Sequence, residues 1–138
     1  MYLKINQNIE LVKLGKMILP NSTEESLCHD CENVYEWMYV DLPAYDFSLN
    51  VSRNHGMADI DDEIFDQHTE DELKEIIKPG PIYIFGWNKQ KELYVDDIPE
   101  ELIETISKKT DTTITVYPGR VNVDSPDPEP LRTYNTKT

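Results

Sequence analysis

The alternation of apolar and polar positions is most regular between Pro81 and Tyr117, where it predicts strand, turn, strand, helix and strand. Residues 82–85 are β-branched and aromatic, which is typical of a buried strand, and residues 93–95 suit the returning strand of a hairpin. Asp97 and Glu100 have the spacing of a helix cap, and apolar residues then recur every three or four positions. A right-handed crossover after this helix predicts a strand over residues 112–117, parallel to residues 93–95.

The first half of the chain carries weaker patterns. Residues 2–5, 34–40 and 45–52 have the composition or the alternation of strands, and the third of these alternates as a half-exposed strand does. Residues 22–32 begin with the spacing of a capping box and predict a short helix with Cys28 and Cys31 on its apolar face. Residues 9–19 fit either a strand or a short helix broken at Gly15.

Two further helices are predicted between residues 57 and 79. Residues 57–66 have apolar positions at helical spacing, but aspartates in the interior and like charges four residues apart make that helix weak. The next helix has a stronger signal, because Thr69 and Glu72 have capping-box spacing and Pro79-Gly80 ends the element.

Together these elements predict one α+β domain with a mixed, mostly antiparallel sheet of about five or six strands and about three helices. A chain of 138 residues with 38% hydrophobic residues is the size of one domain and can bury a core without metal or disulfide support. We expect the domain to span residues 1–124, with Val121 and Val123 in a possible last edge strand. Residues 125–138 carry three prolines at alternate positions and predict an extended or disordered tail.

A formal net charge of −14 changes this picture, because it disfavours nucleic acid or an anionic membrane as a direct partner. No apolar run approaches the length of a membrane span, and the first fourteen residues mix polar and charged residues among the apolar ones. We therefore expect a cytoplasmic protein, with its two cysteines in a reducing compartment.

Much of the negative charge lies in one stretch, residues 59–75, which we call the acidic block. It contains nine acidic residues and one basic residue, Lys74, for a net charge of −8. Such a block is either a solvated surface or a docking surface whose field attracts a basic protein. The candidate partner-binding residues are Asp59, Asp61, Asp62, Glu63, Asp66, Glu70 and Asp71, with Trp37 and Trp87 as aromatic contact anchors.

Two patterns suggest metal or redox chemistry, and both are incomplete. Cys28 and Cys31 form a C-x-x-C pair, but a structural zinc site needs four ligands and a redox pair should open a helix, so we predict two small core residues. Residues 59–70 match the ligand spacing of a calcium loop, yet Ile64 stands where that loop needs glycine. We therefore predict no catalytic residue, no metal ligand and no cofactor.

In size, acidity and the acidic block, the chain resembles the immunity proteins of bacterial polymorphic and contact-dependent inhibition toxins. The resemblance extends weakly to two segments, Gly86-Trp87-Asn88 and Pro118-Gly119-Arg120-Val121. The resemblance implies a non-enzymatic inhibitor that binds a basic, nuclease-type toxin, and it assigns no role to individual residues. Two alternatives remain: an acidic nucleic-acid mimic or phage-type antagonist, and a small metal-dependent enzyme that uses Cys28 and Cys31.

Overall fold

A computed structural model describes residues 1–32, 34–57, 60–118 and 129–134 of the chain. Over these residues it contains eight strands and four helices. The strands are β1 (Tyr2–Ile5), β2 (Asp30–Cys31), β3 (Tyr35–Asp41), β4 (Ser48–Asn54), β5 (Ile82–Asn88), β6 (Leu93–Val95), β7 (Ile114–Tyr117) and β8 (Arg132–Tyr134). The helices are α1 (Leu11–Ile18), α2 (Asp62–Gln67), α3 (Glu70–Ile76) and α4 (Glu100–Thr110). The α+β class is confirmed, with more strands and one more helix than predicted.

The eight strands form one sheet in the order β2-β3-β4-β5-β1-β7-β8, and β6 also pairs with β5. All pairings among the described strands are antiparallel. The predicted parallel pairing of residues 112–117 with residues 93–95 is therefore wrong. Because β1 lies between β5 and β7, the chain leaving α4 pairs with β1 and not with β6.

The main core lies between one face of this sheet and the helices α1 and α4, which pack against each other. α1 contributes Leu11, Leu14 and Ile18 to this core. Of the two alternatives for this segment, a strand or a helix broken at Gly15, neither is present, because residues 11–18 form a helix that continues through Gly15. A Cβ atom at Gly15 would lie 2.7 Å from a methyl group of Leu27, so a larger residue here would force the Leu27 side chain to move. We call this side of the sheet the helix-covered face.

Two predicted helix starts have different outcomes. The capping box of α3 is confirmed, because Thr69 and Glu72 exchange the two expected hydrogen bonds. The cap predicted at Asp97 is wrong, because α4 begins at Glu100 with Pro99 at the cap position and no side-chain cap bond. The apolar stripe of α4 is nevertheless buried as predicted.

The predicted helix over residues 22–32 is absent. Reciprocal bonds between Thr23 and Ser26 close a single turn, Cys28 has a positive φ of 51°, and residues 30–31 form the edge strand β2. The backbone at Cys28 therefore ends the turn before a helix can form.

The half-exposed strand predicted over residues 45–52 also differs, because β4 is central in the sheet and its Ser48 and Asn50 are buried as well.

The end of the described chain is paired with the sheet, although an extended or disordered tail was predicted there. β8 pairs with β7, the Leu131 N–H donates to the Val116 carbonyl, and Tyr134 packs against the main core. The boundary predicted at residue 124 and the edge strand predicted at Val121 and Val123 lie outside the described residues. No helix in the described part of the chain is long and apolar enough to cross a membrane.

Removing residues 129–138 is expected to destabilise the domain by about 1–3 kcal/mol, because Tyr134 loses its core contacts and β7 becomes an edge strand. Chemical denaturation of the full and shortened chains measures this difference. Equal free energies of unfolding would mean that β8 adds nothing to the stability of the sheet.

Candidate functional site

Trp37 and Trp87, the two predicted aromatic anchors, lie on the same face of the sheet, opposite the helices. Trp37 pairs with Ser52, and Trp87 pairs with Ser48, so the alternation of β4 places both on one side. Both indole side chains are partly exposed. We call this side the aromatic face; it also carries Tyr2, Tyr39, Tyr83, Phe85, Tyr94 and Tyr117.

Ring contacts link much of the aromatic face into one surface. The rings of Tyr2 and Phe85 stack at 4.9 Å, and Tyr94 contacts both Phe85 at 5.0 Å and Trp87 at 5.1 Å. Such pairs stabilise a sheet through cross-strand packing. The ring of Trp87 is therefore packed against that of Tyr94.

A charged pair borders this face beside Trp87. Lys89 Nζ lies 2.9 Å from Asp41 Oδ1 and 5.2 Å from the ring centre of Tyr39, and the Ser48 hydroxyl donates to Asp41 at 2.5 Å. Burial raises the pKa of Asp41, but the Ser48 and Lys89 interactions outweigh it and the pKa lies below its ordinary value. Asp41 is therefore ionised throughout the neutral range.

The acidic block forms α2, α3 and the chain around them, at the end of the sheet where β4 finishes. Eight of its nine carboxylates are described and all eight are exposed, whereas Asp59 lies outside the described residues. In the part of the chain that the structure describes, none of the eight forms an ion pair with a lysine, arginine or histidine. Their negative charge is consequently presented to solvent without direct ion pairs.

The two helices of the acidic block contribute little to the core. α2 has no buried residue, and Leu73 is the one buried residue of α3. Phe65 and Ile76 remain 48% and 40% exposed. The block thus combines exposed carboxylates with exposed apolar side chains, as protein-binding surfaces commonly do.

The predicted anchors do not form one cluster with the acidic block. Trp87 pairs with Ser48 at the start of β4, whereas the block follows Asn54 at its end. Seven residues of strand separate the two ends by roughly 20 Å. Trp37 lies nearer the block, two residues from the Tyr35–Asn54 pair that closes the sheet at that end.

The cysteines differ from the prediction. Cys28 and Cys31 are free and exposed, so they are not core residues, because the turn at residue 28 directs this segment to the edge of the sheet. Among the described residues, no group of three or more histidine, cysteine, aspartate or glutamate side chains is arranged to hold a metal ion.

Sequence reasoning missed a buried charged cluster on the helix-covered face. Arg53 is 8% exposed, and its Nε donates to Glu36, whose other carboxylate oxygen lies 3.3 Å from His29 Nε2. Nη1 of Arg53 donates to Asn8 Oδ1 and to the Ile9 carbonyl, both at 3.0 Å. The sequence did contain a sign of this cluster, because Glu36 and Arg53 occupy alternate positions of β3 and β4 that are otherwise apolar.

Comparison of the chain with protein-family models, with curated proteins and with solved structures finds no match. What the protein does has to be inferred from its own residues.

Proposed function

We propose that this protein is a non-enzymatic inhibitor that binds a basic protein through the acidic block, as an immunity protein does with a nuclease-type bacterial toxin. The observation that carries the proposal is the exposure of all eight described carboxylates of the block on two helices that bury a single side chain. A core-packing role does not account for these helices.

Helix-start preferences explain part of the charge but not all of it. Asp62, Glu63, Glu70, Asp71 and Glu72 lie in first turns, where the helix dipole favours negative charge. Asp66 and Glu75 lie near the C-terminal ends of α2 and α3, where the dipole disfavours it, and each repels an acidic residue four positions earlier. Acidic residues that are present although they destabilise their own helices support a role in binding another molecule.

The field of such a block accelerates association with a basic surface and disfavours acidic competitors. The exposed rings and methyl groups of Phe65 and Ile76 supply apolar contact area that charge alone lacks. A basic nuclease surface evolved to contact phosphate presents the lysine and arginine side chains that this block attracts.

Neutralising Asp61, Asp62, Glu63 and Asp66 to asparagine or glutamine is expected to slow association with the partner about tenfold at low salt and to flatten its salt dependence. The partner is first captured from native lysate and identified by mass spectrometry, and its nuclease activity is measured with equimolar wild-type protein. Surface plasmon resonance at low and high salt then gives the association rates.

A matched control removes four exposed carboxylates outside the block: Glu25, Asp46, Glu101 and Glu104. Both variants carry the same net charge, so only a local docking surface makes the block variant slower. Equal association rates in the two variants would exclude the block as the docking surface. A captured partner that retains full nuclease activity at equimolar ratio would contradict the inhibitor function.

A further inference from the structure

An open cavity of about 370 Å³ lies where the helix-covered face meets α3. Its lining includes Arg53 and Lys74 as cations, Glu10 and Glu36 as anions, and an apolar wall whose members are Met57, Ile77 and Pro79. This volume lies within the range of about 300–1,000 Å³ that is typical of small-molecule sites.

Part of the Arg53 guanidinium forms no hydrogen bond with the described residues. Nε and Nη1 are bonded to Glu36, Asn8 and Ile9, whereas Nη2 has no hydrogen-bond partner among the described residues. Among the residues that the structure describes, the Ser22 hydroxyl is the one fully buried side-chain atom without a partner, so Nη2 keeps some contact with solvent. Arg53 is 8% exposed and lines the cavity, and its Nη2 therefore retains two N–H donors for a ligand.

The other polar groups restrict the charge of the ligand. His55 is bonded within the protein, because its Nδ1 accepts the Met57 N–H and its Nε2 faces the Glu32 carbonyl at 2.7 Å, so neither ring nitrogen is available to a ligand. Glu10 and Glu36 offset Lys74 and Arg53, so a dianion such as phosphate meets more repulsion than a group with a single charge. The planar guanidinium matches a carboxylate, and the apolar wall matches a short hydrocarbon body.

We propose that this cavity binds a monovalent carboxylate carried on a short, branched apolar body, with Arg53 Nη2 as the donor and Lys74 as a second cation. Of the residues that line the cavity, only Lys74 belongs to the acidic block, and Arg53 belongs to β4. This proposal gives Lys74, the only basic residue of the acidic block, a role in binding the ligand.

Titration of the protein with sodium isovalerate, followed by amide NMR shifts, tests the site. We expect saturable shifts at residues that line the cavity and little response to isovaleramide, which has the same shape without the charge. Inorganic phosphate is expected to bind more weakly than isovalerate. No saturation, shifts elsewhere, equal binding of the amide or tighter binding of phosphate would each overturn the assignment.

Two variants separate the ligand role from a structural one. Lys74→Glu, at an exposed position, is expected to weaken isovalerate binding about fivefold without changing the fold. Arg53→Lys keeps the charge beside Glu36 but removes the planar pair of donors, and a loss of fivefold or more is expected. Unchanged affinity in Lys74→Glu would overturn the proposal even where Arg53→Lys fails to fold.

Discussion

Replacing Ile84 with alanine is expected to lower the free energy of unfolding by about 2–5 kcal/mol. Ile84 is fully buried at the centre of β5, where Leu3 of β1 and Val51 of β4 are its neighbours across the sheet. The substitution removes buried methyl groups and leaves a cavity that the surrounding strands cannot close, since each is paired on both sides. Urea denaturation monitored by tryptophan fluorescence measures the loss.

The matched control is Leu93→Ala, which removes a similar side chain that is 58% exposed on β6. We expect a change below about 1 kcal/mol there. Similar losses in the two variants would contradict the position of Ile84 in the centre of the core.

Removing the carboxylate of Glu36 is expected to cost about 3 kcal/mol, because Glu36→Ala leaves the Arg53 charge buried without its counter-ion. The two side chains are 14% and 9% exposed, so solvent compensates the stranded charge poorly. The double variant Glu36→Met with Arg53→Met is expected to recover much of the loss, since two apolar side chains of similar length fill the space without charge.

Asp41→Ala is the control for this ion pair. Its partner Lys89 is 45% exposed and Asp41 itself 62% exposed, and such surface pairs contribute less than about 1 kcal/mol. If Glu36→Ala costs no more than Asp41→Ala, the Arg53 cluster is effectively solvated, and its guanidinium is not the fixed donor that the cavity requires.

Elements defined by local signals were predictable from the sequence. The hairpin of β5 and β6 and the capping box of α3 depend on residues close together in the chain, and both are present as predicted. The neighbour of β7 depends on which distant strand occupies the adjacent position. A rule for crossovers cannot supply that information when β1, from the other end of the chain, takes the place.

The turn at residues 23–28 shows a different limit. Ser22 and Glu25 have the capping-box spacing of a helix start, and the first hydrogen bonds do form, but the left-handed backbone of Cys28 ends the element after one turn. Sequence propensity alone does not weigh that turn against the pairing of residues 30–31 with β3.

The candidate functional residues likewise include a part that the sequence predicts and a part that it does not. The acidic block was recognisable because composition identifies it directly, and exposure of its carboxylates is what charge density predicts. The Arg53 cavity joins residues from β3, β4, α3 and the loop before α1, so only the packed fold brings them together.

The place of β1 between β5 and β7 also governs the order in which the domain can assemble. Tyr2 has its strand partners at Phe85 and Tyr117, so both neighbours of β1 come from the second half of the chain. During synthesis the ribosome releases β1 first, yet its apolar residues Leu3 and Ile5 stay unpaired until both partners have emerged. The hairpin of β3 and β4 can form much earlier, and closing the long loops around β1 slows folding relative to a domain built of local contacts.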